Sequence, residues 1–261
     1  NHDSESKVAP NSMSNRPAAP VRPAVSGRLG TGFDQDGLDG GEPIPFDMDK
    51  VDAISETDER WAWVEIDLSA IRHNVLEAKH HLSQGTRLLA VVKADAYGHG
   101  AVAVAKMALN SGAEYLAVAT VPEAVSLRKA GITAPLMILA QPPVTSIPIL
   151  LAYHILPSIY DAEFAIAYAE MADLHNMRAP FHLAMNTGMN RIGVRYDQVV
   201  EFMQQVAFHR ALELVGTFTH FATADGEDTL DFQIQARRFN EAIQNMRAAG
   251  IDPGIVHCAN S

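Results

Sequence analysis

The stretch Arg87–Gly100, RLLAVVKADAYGHG, determines how the rest of the chain is interpreted. Its apolar run Leu88–Val92 is typical of a short strand buried on both faces, as in parallel sheets. This strand delivers Lys93 to its carboxyl end, where α/β folds place their chemistry. Gly98 and Gly100 then indicate a turn, and a helical pattern follows at once. The stretch therefore predicts a βα unit with a lysine at the functional edge of a parallel sheet.

A lysine at that position has two interpretations. Its amine can form a Schiff base with a carbonyl cofactor if the surroundings keep it partly deprotonated. It can also be a surface lysine at the end of a strand, which is the more frequent case for an isolated βα unit. The strand and turn residues of Arg87–Gly100, taken one by one, do not separate these alternatives.

Composition bounds the classes of protein that this chain can belong to. Its 261 residues, 48% hydrophobic and 20% charged, suit one large α/β domain. A formal net charge of −11 argues against nucleic acid and anionic membrane surfaces as partners. The single cysteine, Cys258, excludes an intrachain disulfide and fits a reducing compartment. With no secretory signal pattern and no apolar run of about 18–20 residues, a cytoplasmic location is expected.

The first 59 residues differ in composition from the remainder of the chain. Serine, asparagine, proline and alanine are mixed up to Leu29, and an acidic, glycine-rich segment follows. Too little apolar surface is available there to offset the entropy of ordering the chain. Residues 1–59 are therefore predicted to be a mostly disordered acidic tail, with a regulatory interaction tail as the alternative, and residues 60–261 a barrel domain.

From Trp61 onward, short apolar segments alternate with helical patterns. The predicted strands are Trp61–Leu68, Leu88–Val92, Tyr115–Ala119, Pro135–Leu139, Ile155–Ser158, Phe181–Met185, Leu212–Thr219 and Gly254–Cys258. The predicted helices are 69–82, Ala101–Asn110, a helix with a capping box at Thr120–Glu123 that Gly131 ends, Ile147–Ala152, Asp161–Leu174, Tyr196–Phe208 and Leu230–Ala249. Such alternation predicts βαβ units and a parallel sheet.

The number of strands favours an incomplete barrel. Seven strands follow from the Lys93 strand onward, whereas a closed (β/α)8 TIM-type barrel needs eight. The expectation is an α/β barrel that is truncated after its seventh strand. A doubly wound open sheet would tolerate seven strands, but its first βα turn would be expected to carry a glycine-rich dinucleotide loop, and this turn does not.

Three further stretches place polar residues at strand ends. In FHLAMNTGMNRIGV, residues 181–194, Arg191 can clamp a carboxylate, or it can form an ordinary surface salt bridge. In GTFTHFATAD, residues 216–225, His220 ends an apolar strand, a position where a lone histidine is more often structural than catalytic. The third stretch is HCANS, residues 257–261.

Together these stretches resemble the alanine racemase family. AVVKADAYGHG (90–100), TGMNRIG (187–193), THFATAD (219–225) and HCANS (257–261) are similar to that family's motifs, in the same order and with similar spacing. The resemblance covers roughly Trp61–Ser261 and implies a pyridoxal-phosphate (PLP) enzyme of fold type III, of which this chain is the N-terminal barrel portion.

The resemblance also implies roles for single residues. Lys93 would hold PLP covalently and act as catalytic base, and Tyr97 would donate a hydrogen bond to its phosphate. Arg191 would contact the phenolic oxygen of PLP and the substrate carboxylate, while His220 would pack against the pyridine ring. The remaining implied roles concern the last stretch: Asn260 lining the cofactor pocket, Ser261 donating to the phosphate, and His257 in a polar network behind the ring. No metal ligand set is implied.

One departure from the family pattern concerns the strand before Arg191. Many members have lysine and aspartate where this chain has Ala184 and Asn186, and the carbamylated lysine orients the arginine. Ala184 cannot do this. The hypothesis is that a bound anion such as chloride beside Asn186 and Arg191 replaces the missing negative charge, which anomalous density near Arg191 would reveal.

The implied function is the interconversion of L- and D-alanine that supplies D-alanine for peptidoglycan. A full-length enzyme would be a homodimer in which the partner's tyrosine is the second base; the eighth strand and C-terminal β-domain are expected to lie outside this chain, which as a fragment would lack full activity. A broad-specificity amino-acid racemase and a non-catalytic PLP-binding homeostasis protein are alternatives. A truncated fold that binds nothing is a further one, because an open barrel exposes strand edges.

Overall fold

The structure, a computed structural model, describes residues 64–223 and 229–258. A compact unit begins at Leu68, and of the unit before it only residues 64–67 are described, without regular secondary structure. The predicted disordered tail, residues 1–59, lies outside the described residues.

An all-parallel sheet forms the centre of the unit. Its strands are β1 (Leu89–Val91), β2 (Tyr115–Val118), β3 (Leu136–Ile138), β4 (Leu156–Ile159), β5 (Ala179–Asn186), β6 (Val194–Arg195), β7 (Leu212–Thr219) and β8 (Ile255–His257). They are ordered β1-β2-β3-β4-β5-β7-β8, with β6 paired to the end of β5. The seven strands of this path are the seven predicted, so the α/β barrel interpretation is confirmed, with seven strands in the described part of the chain.

Helices connect the strands. They are α1 (Leu68–His81), α2 (Ala101–Asn110), α3 (Val121–Lys129), α4 (Ile147–Ala152), α5 (Ala162–Leu174), α6 (Val199–Val206) and α7 (Leu230–Ala248), with a 3₁₀ turn at Val144–Ser146. The capping box predicted for α3 is present, since the Thr120 hydroxyl accepts from the Glu123 N–H and the Glu123 carboxylate accepts from the Thr120 N–H. At α5 the Asp161 carboxylate accepts from the Phe164 N–H.

The central strands β2, β3, β4 and β5 are buried on both faces, which explains their continuous apolar runs, whereas β1 and β8 are only half-buried. One layer lies between sheet and helices and includes Leu116, Ile138 and Leu183 from the strands. A second layer fills the inside of the sheet with alternate strand residues, namely Ala117, Met137, Ala184 and Phe218. Because side chains alternate along a strand, β5 presents Leu183 to the helices and Ala184 to the interior.

Arg128 secures the loops that precede two strands. Its guanidinium donates to the carbonyl oxygens of Ile132 and Ala134, ahead of β3, and to those of Tyr153 and His154, ahead of β4. These bonds lie at the amino ends of the strands, where barrel residues serve stability. They leave the carboxyl ends of the strands for the site.

The predicted strand Trp61–Leu68 is wrong over its described part. Residues 64–67 are not in a strand, and Leu68 already belongs to α1. Alternating apolar residues give a segment one apolar face, but a strand also needs a partner for its backbone groups. No strand in residues 64–223 or 229–258 pairs with this segment, and 70% of the Val64 surface is exposed.

The helix predicted at Tyr196–Phe208 begins later, at Val199, because the chain before it is held by β5. Val194 and Arg195 pair with Met185 and Asn186, and the Tyr196 N–H donates to the Asn186 carbonyl oxygen (3.1 Å). This pairing, β6, was not predicted. It requires Gly193, because a Cβ there would lie 2.6 Å from the Met185 carbonyl carbon.

Candidate active site

The site lies where the parallel strands end. Lys93 follows β1, Asn186 ends β5 and His220 follows β7, so the common strand direction brings all three to one edge of the sheet. Active sites of barrels are built at this edge because the loops that leave the strands converge there.

Directly after Lys93 the backbone makes one left-handed turn, Lys93–Gly98. The four residues Ala94–Tyr97 have φ between +50° and +55°. None of the four is glycine, and each such residue costs about 1–2 kcal/mol relative to the right-handed conformation. Backbone strain of this kind persists only where the surrounding structure determines it, and it is concentrated at functional sites.

Asp95 and His99 hold this turn together. The Asp95 carboxylate accepts from the Ala101 N–H (2.6 Å), which is the first N–H of α2. His99 Nδ1 lies 3.0 Å from the Ala96 carbonyl oxygen and 3.1 Å from that of Tyr97. Because carbonyl oxygens only accept, Nδ1 carries the hydrogen. Asp95 and His99 of KADAYGHG thus serve to stabilise the conformation of the turn.

Lys93 and Tyr97 are neighbours across the turn. The Lys93 Nζ atom is 5.8 Å from the centroid of the Tyr97 ring, within the range of a cation–π contact. Lys93 is partly buried, whereas 58% of the Tyr97 side chain is exposed. Among the described residues, Lys93 Nζ has neither a hydrogen bond nor an ion pair.

His220 lies within electrostatic reach of two positive groups. Burial lowers the pKa of its imidazole, and the charges of Arg191 and Lys93 lower that pKa further. The ring is therefore neutral at physiological pH. Arg191 is exposed and, like Lys93, forms no hydrogen bond or ion pair with the described residues. The arrangement is a neutral aromatic ring flanked by two cations without counter-ions there, which suits an anionic, planar ligand.

The loop that carries Arg191 is organised by Asn186. The Asn186 Oδ1 atom accepts from the N–H groups of Gly188 and Asn190, and its Nδ2 donates to Asn190 Oδ1. A cavity of about 10 Å³, the size of one water molecule, lies beside Ala184, Asn186 and His220. The proposed anion beside Asn186 and Arg191 stays a prediction.

Two threonines fasten the exits of β5 and β7 to each other. The hydroxyl oxygens of Thr187 and Thr219 are 2.8 Å apart, and the Thr219 hydroxyl also approaches the Met185 carbonyl oxygen at 3.0 Å. The Thr187 carbonyl oxygen accepts from Arg238 Nη1 of α7. These buried bonds fix the Asn186 loop relative to His220.

A pair of histidines lies deeper in the sheet. His182 Nδ1 and His257 Nε2 are 2.9 Å apart, and the His257 ring stacks on Phe218 at 5.0 Å between centroids. Gly216 makes room for the pair, because a Cβ there would lie 2.4 Å from His182 Nδ1. His257 thus has one polar partner in the sheet, and its predicted place in a polar network behind the cofactor ring stays a prediction.

The structure thus brings Lys93, Tyr97, Arg191 and His220 to one edge of the sheet. Asn260 and Ser261 lie outside the described residues. His182 was not predicted from the sequence. It lies two residues before Ala184 and four before Asn186, a spacing that places all three on the same face of the strand and could have identified it. The contact between the capping residue Glu123 and the turn after Lys93 was also not predicted.

Fold and site define an incomplete parallel α/β barrel with a lysine at the end of its first strand. Comparison with known proteins gives the family: residues 66–261 match the profile described as "Alanine racemase, N-terminal domain". The chain belongs to the alanine racemase family, as the resemblance of its motifs predicted.

The relatives are longer than this chain. An alanine racemase of Nostoc sp. is 43% identical over 203 residues, which are 77% of this chain and 53% of that protein. Alanine racemase 1 of Bacillus subtilis is 41% identical over 206 residues, 77% of this chain and 51% of that protein. The chain spans about half the length of the curated relatives it matches.

Solved structures share the fold. The crystal structure of alanine racemase from Bacillus anthracis with bound L-Ala-P has a TM-score of 0.73 at 38% identity, covering 78% of this chain and 53% of that one. An alanine racemase of Clostridium difficile has a TM-score of 0.75 at 33% identity, covering 78% and 57%.

The described residues contain no helix with the length and apolar character of a membrane span. They also contain no group of three or more histidine, cysteine or acidic side chains placed to hold a metal ion.

The histidine pair predicts a pH-dependent stability. Burial, and then the charge of His257, lowers the pKa of His182 to about 3, and burial lowers that of His257 to about 4. As pH falls below about 6.5, the unfolded chain takes up protons that the folded chain excludes. The free energy of unfolding should therefore decrease by about 1.4 kcal/mol per pH unit for each ring between pH 6 and 5.

Urea unfolding between pH 7 and 5 measures this decrease. His182→Gln should remove about half of the contribution of the pair, and His175→Gln, which removes an exposed ring, serves as the matched control. Equal pH dependence in wild type and His182→Gln would contradict the assignment.

Proposed function

We propose that this chain is the PLP-binding barrel portion of an alanine racemase. The observation that carries the proposal is the placement of Lys93, at the exit of β1 and within electrostatic reach of the neutral ring of His220. Family membership supports it, and the relatives named above carry the same activity in their names. In the cell, the whole enzyme would supply D-alanine for peptidoglycan from the cytoplasm, as a homodimer.

The residues fit PLP in charge and shape. PLP is an aldehyde with an anionic phosphate and a flat ring, and when bound it supplies an electron sink for a carbanion at the amino-acid Cα. Lys93 offers an amine with no described ion-pair partner, and the His220 imidazole is a flat neutral surface. Tyr97, exposed beside Lys93, would donate its hydroxyl hydrogen to the phosphate, and Asn260 and Ser261 would complete the proposed cofactor site.

The side chains then have separate roles in the reaction. Arg191 would bind the carboxylate of the amino acid through its guanidinium and would also help to hold the cofactor through its phenolic oxygen. Lys93 Nζ takes up and returns the Cα proton on one face of the substrate. The lowered pKa of His220 makes its imidazole a weaker base, so the ring would orient the cofactor without competing for the proton. Racemisation needs a second acid–base group on the opposite face.

Ala184 keeps a second candidate function open. It is buried and has no side chain that could orient Arg191, so the carboxylate clamp depends on the Asn186 loop. A clamp positioned in this way is compatible with a broad-specificity amino-acid racemase. The proposed domain division, a tail at residues 1–59 and a barrel domain at 60–261, is common to both functions.

The first test is a PLP titration of this chain with borohydride trapping and peptide mapping. We expect a stable adduct at Lys93 that is lost in Lys93→Ala. Lys106→Ala, which removes an exposed lysine of α2, is the matched control and should retain the adduct. No adduct, or one distributed over surface lysines, would contradict the cofactor assignment.

The second test separates a racemase from a protein that only binds PLP. With PLP bound in D₂O, Lys93 should exchange the α proton of alanine for deuterium, and NMR measures the incorporation. Lys93→Ala should abolish the exchange. If the α protons of the free amino acids lysine and arginine exchange as fast as that of alanine, the result would favour the broad-specificity racemase. PLP binding without any exchange would favour the homeostasis class.

A further inference from the structure

We propose that Glu123 is a positioning residue for Lys93, acting through the backbone that directly follows the lysine. The proposal rests on the proposed function, in which the Lys93 amine performs the chemistry. Glu123 belongs to α3, the helix after the next strand, and it reaches back to the first strand's exit.

The Glu123 carboxylate connects the exits of β1 and β2. Its Oε1 atom accepts from the Ala94 N–H at 2.7 Å, directly after Lys93. Its Oε2 atom accepts from the N–H groups of Ala119 and Thr120, both at 2.9 Å, directly after β2. One side chain therefore fixes the backbone at two neighbouring strand ends.

Three converging N–H donors keep this carboxylate ionised. Burial raises the pKa of Glu123, but the hydrogen bonds from Ala94, Ala119 and Thr120 together lower it by more. An ionised acceptor makes shorter and stronger hydrogen bonds than a neutral one. The hydrogen bond from the Ala94 N–H to the Glu123 carboxylate is therefore of this stronger, charge-assisted kind.

The link acts where the left-handed turn begins. Ala94 is the first of the positive-φ residues, and alanine has no intrinsic preference for that conformation. The bond from the Ala94 N–H to Glu123 fixes the orientation of the Lys93–Ala94 peptide plane, from which the left-handed turn departs. The direction in which the chain leaves Lys93, and hence the position of its amine, is set by this contact.

A helix cap alone does not account for the contact. The capping box of α3 needs only the bonds between Glu123 and Thr120, and the bond to Ala94 is additional. Glutamine is accepted at this capping position, so Glu123→Gln can retain the cap through its single oxygen. Its NH₂ group would then face the Ala94 N–H, donor against donor.

The experiment compares Glu123→Gln with Thr120→Ala. The control removes the hydroxyl of the same cap and leaves the Ala94 bond in place. Two quantities are measured on each protein: the PLP concentration for half-maximal borohydride-trapped adduct at Lys93, and the amide hydrogen exchange of the peptide that contains Ala94.

We expect Glu123→Gln to raise the half-maximal PLP concentration by about tenfold or more and to accelerate exchange at Ala94. Thr120→Ala should lower the melting temperature and change neither quantity. Wild-type trapping in Glu123→Gln, or equal losses in both variants, would overturn the positioning role.

Two outcomes separate this proposal from the proposed function. If wild type forms no adduct, the proposed function fails and the positioning role fails with it; if wild type forms the adduct and Glu123→Gln matches it, only the positioning role fails. If Glu123→Gln does not fold, exchange in wild type decides: a protected Ala94 amide supports the link, and exchange at the free-peptide rate overturns it.

Discussion

The left-handed turn after Lys93 is the constraint on which the site depends. Four residues in succession take a conformation that L-amino acids avoid, at about 1–2 kcal/mol each. Hydrogen bonds that the Asp95 and Glu123 carboxylates accept, and that His99 donates, offset this cost. A short turn without these bonds would relax to the right-handed form and release Lys93 from its place at the strand exit.

Parallel strands and burial together produce the electrostatics of the site. Because the strands run in one direction, Lys93 and His220 reach the same edge from strands far apart in the sheet, and Arg191 joins them from the Asn186 loop. Burial and the two positive charges keep His220 neutral. Positive groups lacking counter-ions in the described structure favour an anionic ligand, which is why the site suits a phosphate-bearing aldehyde and a carboxylate substrate.

The fold was largely predictable, since each barrel strand is an apolar run between turn signals, and α2, α3, α5 and α7 each have a side-chain cap or a glycine that ends them. Pairing was not. Residues 64–67 alternate like a strand but have no regular secondary structure, whereas the two-residue β6 was signalled only by Gly193. The family motifs indicated Lys93, Tyr97, Arg191 and His220, and the glycines indicated a turn, but its left-handed backbone was not predictable because alanine carries no sign of positive φ. The His182–His257 contact depends on a register shift between Phe181 and His182 that local sequence does not encode.

The most direct test of the account is a crystal structure of this chain that resolves the backbone of residues 93–100. The account predicts φ near +50° at Ala94–Tyr97 and the Glu123 carboxylate within hydrogen-bond distance of the Ala94 N–H. A right-handed or extended backbone after Lys93, with Glu123 bonded only to its own helix cap, would contradict it.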